Sequence, residues 1–365
     1  MNITMLVTNA YHPDPRVHKE AVHLVSLGHQ VSVLCWDRHQ EYLEAQQVEL
    51  DGVNLVRFPI KSTLGSGLKQ LPAYWNYSQA CGAWMKAHPV DAIHAHDLDG
   101  MLVAVRQRPR QVPITFDMHE YFEYTRKVTD LTRPLVRWLV NRMTAKANAI
   151  VYVHDIQLEH LSKAAQAKAI FIPNYPEEAS YLPSTKVPSK RLRVGYIGKI
   201  RQFEQLKNLI EATADLPIDL HFHGDGIHYQ HVLDVAKAYP HVTMTGRFSS
   251  AEVGDLYRHI DLLYVAYDTK VVQYRRVEPV KFYEAVLTQT PILVEGTMDV
   301  ARWAIDAGFG FAIDGTSVTS IHQVISDLVN HPQKLQHAQA VLAPLSQRYR
   351  WSDVVSRLDA LYPLL

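Results

Sequence analysis

The chain has 365 residues, 47% of them hydrophobic and 20% charged, with 37 basic side chains matched by 37 acidic ones. That length exceeds one ordinary core and suits two domains of about 170 residues each. Zero formal charge leaves no general positive field for nucleic acid, and no apolar run reaches the roughly 18 residues of a membrane span.

Met1-Asn2-Ile3-Thr4 leads into a strand with no basic stretch before it, so a cytoplasmic location is expected. Cys35 and Cys81, the two cysteines, lack the spacing of a disulfide framework or zinc site and read as buried small hydrophobes. Residues 3–8 form an apolar strand. Val17, Ala21, Val22, Leu24 and Val25 then recur at helical spacing until Gly28, and residues 30–35 form the next strand. This is a β-α-β unit and implies a parallel sheet. The loop over residues 8–14 lacks the Gly-x-Gly-x-x-Gly that a dinucleotide pyrophosphate needs, which removes most support for a dehydrogenase.

A strand over 53–58 and an aromatic-rich helix over 68–87 follow. Three strands, over 91–97, 113–120 and 149–154, then end in His or His-Asp. Ligands of open α/β sheets bind beyond the carboxyl ends of the strands, so His96, Asp97, Asp117, His119, Glu120 and His154 are candidates for one cleft, His119 foremost. Between residues 103 and 147 the balance turns basic, with Arg106, Arg108, Arg110, Arg126, Lys127, Arg133, Arg137, Arg142 and Lys146 interleaved by Leu131, Leu135, Val136, Trp138, Leu139 and Val140. Two readings stand: a half-buried helix with a solvated basic face, or a surface that meets anionic lipid or a phosphate-bearing acceptor.

Residues 172–191 hold four prolines and no periodicity, which marks a domain boundary. A second series begins with a strand over 192–197, the turn Gly198-Lys199-Ile200-Arg201 and a helix over 203–215. Next come a strand over 218–223, the turn Gly224-Asp225-Gly226, a strand at 242–244 leading to Gly246-Arg247-Phe248-Ser249, a helix opening at Ser250, and a strand over 261–266. Glu278-Pro279-Val280-Lys281-Phe282-Tyr283-Glu284-Ala285-Val286 reads as a loop closing into a helix. Pro279 fits the helix's first turn, Phe282, Ala285 and Val286 form its apolar face, and Glu284 falls off that face. A helix N-terminus after a polar loop suits an anion, and a carboxylate one turn inside accepts hydrogen bonds from sugar hydroxyls, which together suit a nucleotide-sugar. The plainer reading is an ordinary crossover with a surface Glu. Two β/α halves joined by a proline-rich hinge imply an interdomain cleft.

In order and spacing, these pieces resemble the GT-B glycosyltransferases of the large retaining family 4, the bacterial group 1 enzymes. Asp14-Pro15-Arg16-Val17-His18-Lys19-Glu20-Ala21 with Leu27-Gly28-His29 is similar to the family's first helix, and Phe116-Asp117-Met118-His119-Glu120 to its strand-end His motif. Ile172-Pro173-Asn174 is similar to its domain junction, Gly198-Lys199-Ile200 to its first C-domain turn, and Tyr349-Arg350-Trp351-Ser352 to its last helix. The resemblance implies an α/β GT-B fold with two Rossmann-like β/α/β domains. These would be an acceptor-binding domain over 1–175, a linker over 176–190, a nucleotide-sugar domain over 191–346, and a helix over 347–365 crossing back onto the first domain.

By the same resemblance Lys199 and Arg201 contact the donor phosphates, Glu284 the ribose and Arg247 with Phe248 the base, while His119 faces the reacting sugar. Pro279, Lys281 and Glu284 match a Pro-Asn-Lys-x-x-Glu variant, with Val280 for the Asn. Two departures stand out. Arg276 holds the place of the family's sugar-contacting Glu, for which Glu278 is the candidate substitute, and Glu204 holds the place of a diphosphate-binding Lys. No Asp-x-Asp motif marks a metal. The implied activity is a retaining, metal-independent transfer from a UDP- or GDP-linked sugar to a glycan or lipid-linked acceptor. It would need no further cofactor and would serve bacterial cell-surface polysaccharide or glycoconjugate synthesis, peripherally on the inner face of the membrane. Alternatives are a catalytically silent GT-B sugar-nucleotide-binding or scaffold protein, for which Arg276 and Glu204 speak, and a sugar-nucleotide 2-epimerase drawing on Asp97, Asp117 and Glu120 for acid and base work.

Overall fold

A computed structural model describes residues 1–11, 14–63, 67–124, 128–181, 185–249 and 251–362. The chain forms two compact units, Met1–Asn174 with Val354–Leu365, and Tyr175–Asp353.

Unit one is built on an eight-stranded sheet in the order β3-β4-β2-β1-β5-β6-β7-β8. The strands are β1 (Asn2–Val7), β2 (Gln30–Trp36), β3 (Gln47–Leu50), β4 (Val53–Phe58), β5 (Ala92–His96), β6 (Ile114–Met118), β7 (Ala149–Tyr152) and β8 (Ala169–Phe171). All pair in parallel except β3, which lies antiparallel on β4. Every residue of β5 and β6 is buried, so both faces of the sheet are covered there. That is why these strands read as continuous runs and not as alternating ones. The helices are α1 (Pro15–Ser26), α2 (Leu71–Ala87), α3 (Asp97–Gln107), α4 (Arg133–Lys146) and the single turn α5 (Lys163–Gln166). Asp14 caps α1 by accepting the Val17 amide N–H at 3.2 Å, and Gly28 at φ +85° ends it.

Unit two carries a six-stranded, all-parallel sheet in the order β11-β10-β9-β12-β13-β14. Its strands are β9 (Leu192–Ile197), β10 (Ile218–His223), β11 (Val242–Gly246), β12 (Leu262–Val265), β13 (Ile292–Glu295) and β14 (Gly310–Ile313). Its helices are α6 (Phe203–Ala212), α7 (Tyr229–Ala236), α8 (Val253–Arg258), α9 (Val272–Arg276), α10 (Val280–Leu287), α11 (Asp299–Ala307), α12 (Val318–Asn330) and α13 (Gln333–Leu345). Val194, Leu220, Phe222, Leu262 and Leu293 of the sheet pack with Leu206, Leu209, Ile210, Ile321 and Ile325 of the helices to form its core.

Several elements differ from the sequence expectation. The long aromatic helix begins at Leu71, after a 3-10 turn at Gly67–Gln70, because Pro72 suits a first turn and not a helix interior. The strand expected to run through Asp97 stops at His96, since Asp97 takes φ +56° and opens α3. Ser250 lies outside the described residues, and the helix near it is α8. The expected C-terminal helix is instead two 3-10 turns, Trp351–Asp353 and Val355–Leu361. Side chains anchor this tail within unit one: Asp359 lies 2.7 Å from His23 Nε2, and Arg357 donates to the Phe171 carbonyl at 2.7 Å. Among the described residues no helix is long and apolar enough to cross a membrane.

Candidate functional site

The first constellation lies at the carboxyl ends of β5 and β6. His94 and His96 share a face at the strand's period of two and stack with ring centroids 4.5 Å apart. His96 stands opposite Asp117 in the register. The Asp117 carboxylate accepts two hydrogen bonds from Arg16 Nη2, at 3.0 and 3.2 Å, and lies 3.0 Å from His119 Nε2 and 3.4 Å from both His94 Nε2 and His96 Nδ1. Glu20, one turn beyond Arg16 on α1, pairs with the same guanidinium nitrogen at 2.9 Å. Tyr362, from the tail, places its hydroxyl 2.9 Å from His94 Nδ1. Asp97 accepts the amide N–H groups of His119 and Glu120 at 3.0 and 3.3 Å.

Charges buried this deeply persist only when paired. Burial works to raise the Asp117 carboxyl, but Arg16 and His119 reverse it and hold Asp117 well below the usual range. Burial also works to lower His119, and the Asp117 and Asp97 carboxylates outweigh it and lift the imidazole to about 9. His96, 3.1 Å from His119 Nε2, is pushed down by burial to about 3 and stays neutral. Glu20 is raised by burial to about 7, against the pull of Arg16. Burial raises the Asp97 carboxyl as well, opposed by His119. Glu20, His94, His96 and Asp117 present ligand atoms within 4.8 Å of one another, a donor set that could hold a metal ion. Arg16, however, lies 2.9 Å from the Glu20 carboxylate and 3.0 Å from that of Asp117. It already supplies the positive charge that a divalent cation would bring.

Of the strand-end candidates, His96, Asp97, Asp117 and His119 come together. Glu120 joins through its backbone while its side chain is exposed. His154 does not join them. Its Nδ1 accepts the Ile156 amide and caps the 3-10 turn at Asp155–Leu158. The sequence reading missed Arg16, Glu20, His94 and Tyr362 as members. A signal for the first two existed, because an Arg and a Glu four apart interrupt the buried face that also carries Val17, Ala21 and Leu24.

The second constellation is in unit two, where the first and second turns pack backbone on backbone. A β-carbon on Gly224, at φ +136°, would stand 1.9 Å from the Gly198 carbonyl oxygen, so only glycine fits there. Beside these turns the N-terminus of α10 opens on a cavity of about 250 Å³ lined by Gly198, Phe248, Tyr267, Pro279, Lys281 and Glu284, among others. Pro279 is the residue that caps α10, at ψ 141°, and not a member of its first turn. Phe282, Ala285 and Val286 are fully buried, which turns Lys281 and Glu284 toward the cavity. Both oxygens of Glu284 are held: Tyr181 donates to Oε1 at 2.7 Å and Tyr257 to Oε2 at 2.9 Å. The Lys281 ammonium sits 4.1 Å from the centre of the Tyr196 ring and 5.7 Å from that of Tyr267, in cation–π contact. Burial lowers it to about 8, with Glu284 pulling it back up.

Phe248, Pro279, Lys281 and Glu284 therefore meet in one cavity. Lys199 does not line it, and bonds the Asp225 carboxylate at 2.6 Å on the surface. Arg201 and Arg247 are exposed. Glu278 accepts a hydrogen bond from the Tyr283 hydroxyl and is not among the lining residues. Glu204 is exposed in the first turn of α6, and Arg276 ends α9, half-buried. Tyr181 left no mark in the sequence, since it falls in no motif.

In the basic region, Arg126 and Lys127 lie outside the described residues. The rest centres on α4, whose Val140 and Met143 are buried while Leu135 and Trp138 are exposed, as is Leu131 ahead of it. Arg137 pairs with Glu123 at 2.8 Å and Arg133 with Asp130 at 2.6 Å.

Residues 13–174 match the glycosyl transferase 4-like domain. No curated protein matches the chain. Among solved structures, sucrose-phosphate synthase from Thermosynechococcus elongatus superposes with a TM-score of 0.79 at 14% identity, covering 99% of this chain and 98% of that one. Anabaena HepE in complex with UDP and glucose gives 0.71 at 15%, covering all of both chains. WaaG, a glycosyltransferase involved in lipopolysaccharide biosynthesis, gives 0.70 at 14%, covering 99% of this chain and all of the other. Both sheets find their counterparts in that fold: the chain has the two-domain GT-B fold, and its residues 13–174 match the glycosyl transferase 4-like domain.

Proposed function

We propose that the chain moves a sugar, with retention and without a metal, from a UDP- or GDP-linked donor to a hydroxyl of a glycan or lipid-linked acceptor in bacterial cell-surface polysaccharide or glycoconjugate synthesis. The observation that carries this is the meeting of a glycine turn, an aromatic ring, a buried ammonium and a clamped carboxylate at the start of α10. In this reading Phe248 stacks on the base. Glu284 accepts from the ribose hydroxyls. Lys281 and the first amides of α10 face the diphosphate. Lys199 leaves Asp225 to reach the phosphates, and Arg201 and Arg247 approach from the surface. Glu278 contacts the donor sugar, and His119 acts on the transferred sugar. The sugar's bond to the phosphate oxygen breaks, the acceptor oxygen takes the same face, and the acceptor's proton goes to the departing phosphate. Each well-placed donor to that phosphate contributes about 3–4 kcal/mol.

Support for the donor class comes from HepE, described with UDP, glucose and UDP-glucose. WaaG's part in lipopolysaccharide biosynthesis supports the cell-surface role. Titration calorimetry with UDP and GDP, beside turnover across a donor panel, tests the reading. Nucleotide binding with turnover of one donor is expected. Absence of both sinks it, and binding without any turnover favours a silent sugar-nucleotide-binding protein.

The exposed Leu131, Leu135 and Trp138 beside Arg142 and Lys146 support an anionic membrane surface as a further partner. Co-sedimentation with vesicles should then require anionic lipid and weaken with salt. Equal binding to neutral vesicles, or none to either, removes the membrane from the reading.

A further inference from the structure

Trp36 ends β2 at the carboxyl edge of the first sheet, the edge that also carries His96 and His119. Its indole is buried and fixed. The backbone N–H donates to the Asn9 carbonyl at 2.9 Å, Nε1–H donates to the Ile60 carbonyl at 2.8 Å, and the Tyr77 ring stacks on it at 5.3 Å. Two residues on, the half-buried Arg38 lays its guanidinium over that indole, with Cζ 4.0 Å from the ring centre. Asp37 between them turns away, since its oxygens accept the Glu41 and Tyr42 amides at 3.1 and 2.9 Å. Arg38 Nε is shielded from water and has no hydrogen-bond partner, and among the described residues no carboxylate pairs with the guanidinium. Arg57, on the neighbouring strand β4, shows the ordinary solution: it donates to the Ala10 and Ala45 carbonyls at 2.9 Å each. An arginine that sheds water without gaining an acceptor destabilises the fold, and the Trp36 face offsets that only in part.

We propose that Arg38, lying on Trp36, is an anion subsite of unit one that receives a phosphate or carboxylate group of the acceptor. This rests on the glycosyl-transfer reading, in which the first domain takes the acceptor, and it narrows that acceptor to a sugar or lipid-linked sugar carrying negative charge. Ligands of parallel sheets bind beyond the carboxyl ends of the strands, and Arg38 follows such an end. Asp99, in the first turn of α3, lies close enough to act on its charge, which puts the guanidinium beside the opening of that helix. Asp99 tempers the positive charge there without pairing with it. A planar guanidinium matches the two oxygens of a carboxylate or phosphate in a way that a lysine does not. With Nε sealed inside, the terminal nitrogens make the contact. The indole beneath keeps water off one face of the guanidinium, which strengthens an ion pair formed at its rim. A neutral sugar offers only hydroxyl acceptors and leaves the charge uncompensated.

The test uses the full-length chain labelled with ¹⁵N-arginine, in which the Arg38 Nε–H is the resonance missing from Arg38→Gln. Glucose 6-phosphate and glucuronate are titrated at constant ionic strength, with methyl glucoside as the uncharged probe. One anion or both should move that resonance saturably, with a dissociation constant of about millimolar order, and methyl glucoside should not. Arg38→Gln should weaken binding of the anion at least about tenfold, read from the ligand's own saturation-transfer signal. The tighter of the two anions tells phosphate from carboxylate. The proposal is overturned if neither anion moves the resonance, if methyl glucoside moves it as far, or if Arg38→Gln binds the anions as tightly as the wild type. Titrating UDP and GDP into the same sample separates this inference from the reading beneath it. No nucleotide binding sinks glycosyl transfer and leaves the Arg38 result standing, whereas nucleotide binding with an unresponsive Arg38 removes this subsite alone. Should Arg38→Gln not fold, Arg38→Lys, which keeps the charge and the aliphatic stem, assigns the resonance, and the wild-type titration decides.

Discussion

The two constellations solve opposite problems. At the ends of β5 and β6, Arg16, Glu20, His94, Asp117 and His119 lie within ion-pair distance of one another, with Glu20, His94 and Asp117 fully inaccessible, although both Glu20 oxygens and His94 Nε2 have no hydrogen-bond partner. At the start of α10, Lys281 and Glu284 border a cavity, and both lean on tyrosines. Mutual pairing of opposite charges stabilises the first. Support by neutral hydroxyls and aromatic faces holds charges in place while keeping their capacity for a ligand. The first constellation is therefore read as a fixed scaffold for one outward ring, and the second as the binding site.

That contrast is broken most severely at Arg16. Arg16→Met should destabilise the fold by about 3–5 kcal/mol, because it leaves the Asp117 carboxylate buried with its main partner gone. Urea unfolding measures this, and a loss under about 1 kcal/mol would mean that the network is not self-neutralising. His119→Ala should lower turnover by at least about 100-fold with little change in donor affinity, and unchanged turnover would reduce His119 to a structural residue. Glu284→Ala should weaken UDP or GDP binding by about 10- to 100-fold, the value of a hydrogen-bonded charge. Calorimetry with the 2′-deoxy nucleotide sharpens that result, since the variant should no longer distinguish the two sugars. Tyr181→Phe removes one support and leaves the carboxylate, so about a fivefold loss of affinity is expected. A loss as large as that of Glu284→Ala would show that the tyrosine itself touches the ligand.

Stability should also respond to pH through the buried network. His119 has a folded value near 9, above its unfolded one of about 6.5. It contributes fully below about 6.5, and the contribution is lost as pH rises through 9. Melting temperature should therefore fall over that interval in the wild type and fall less in His119→Asn. Parallel slopes would assign the dependence to other groups.

Much of the architecture was legible in the sequence because both sheets, β3 apart, are parallel and their central strands are covered. Strands buried on two faces read as apolar runs, and β9 and β10 match the expected 192–197 and 218–223. Edge strands β3, β8 and β14 went unread, being short and only partly buried. Strand-end residues are grouped by topology, so His96, Asp117 and His119 could be placed together before any coordinates. The helix start at residues 279–284 was visible in the same way, through the local chemistry of proline and an amphipathic turn.

Tertiary structure decided the partners. Arg16 meets Asp117 across a separation of 101 residues, and Tyr181 meets Glu284 across 103. No periodicity encodes contacts of that range. Lys199 and Glu284 looked equally suited to a ligand as residue types. Only the fold gave one a carboxylate at 2.6 Å on the surface and the other two tyrosine hydroxyls at the edge of a cavity. The sequence by itself determined which charges lie at strand ends and helix starts, because backbone geometry is local. Which of those charges are already neutralised, and which still face a ligand, depends on side chains that meet only through folding.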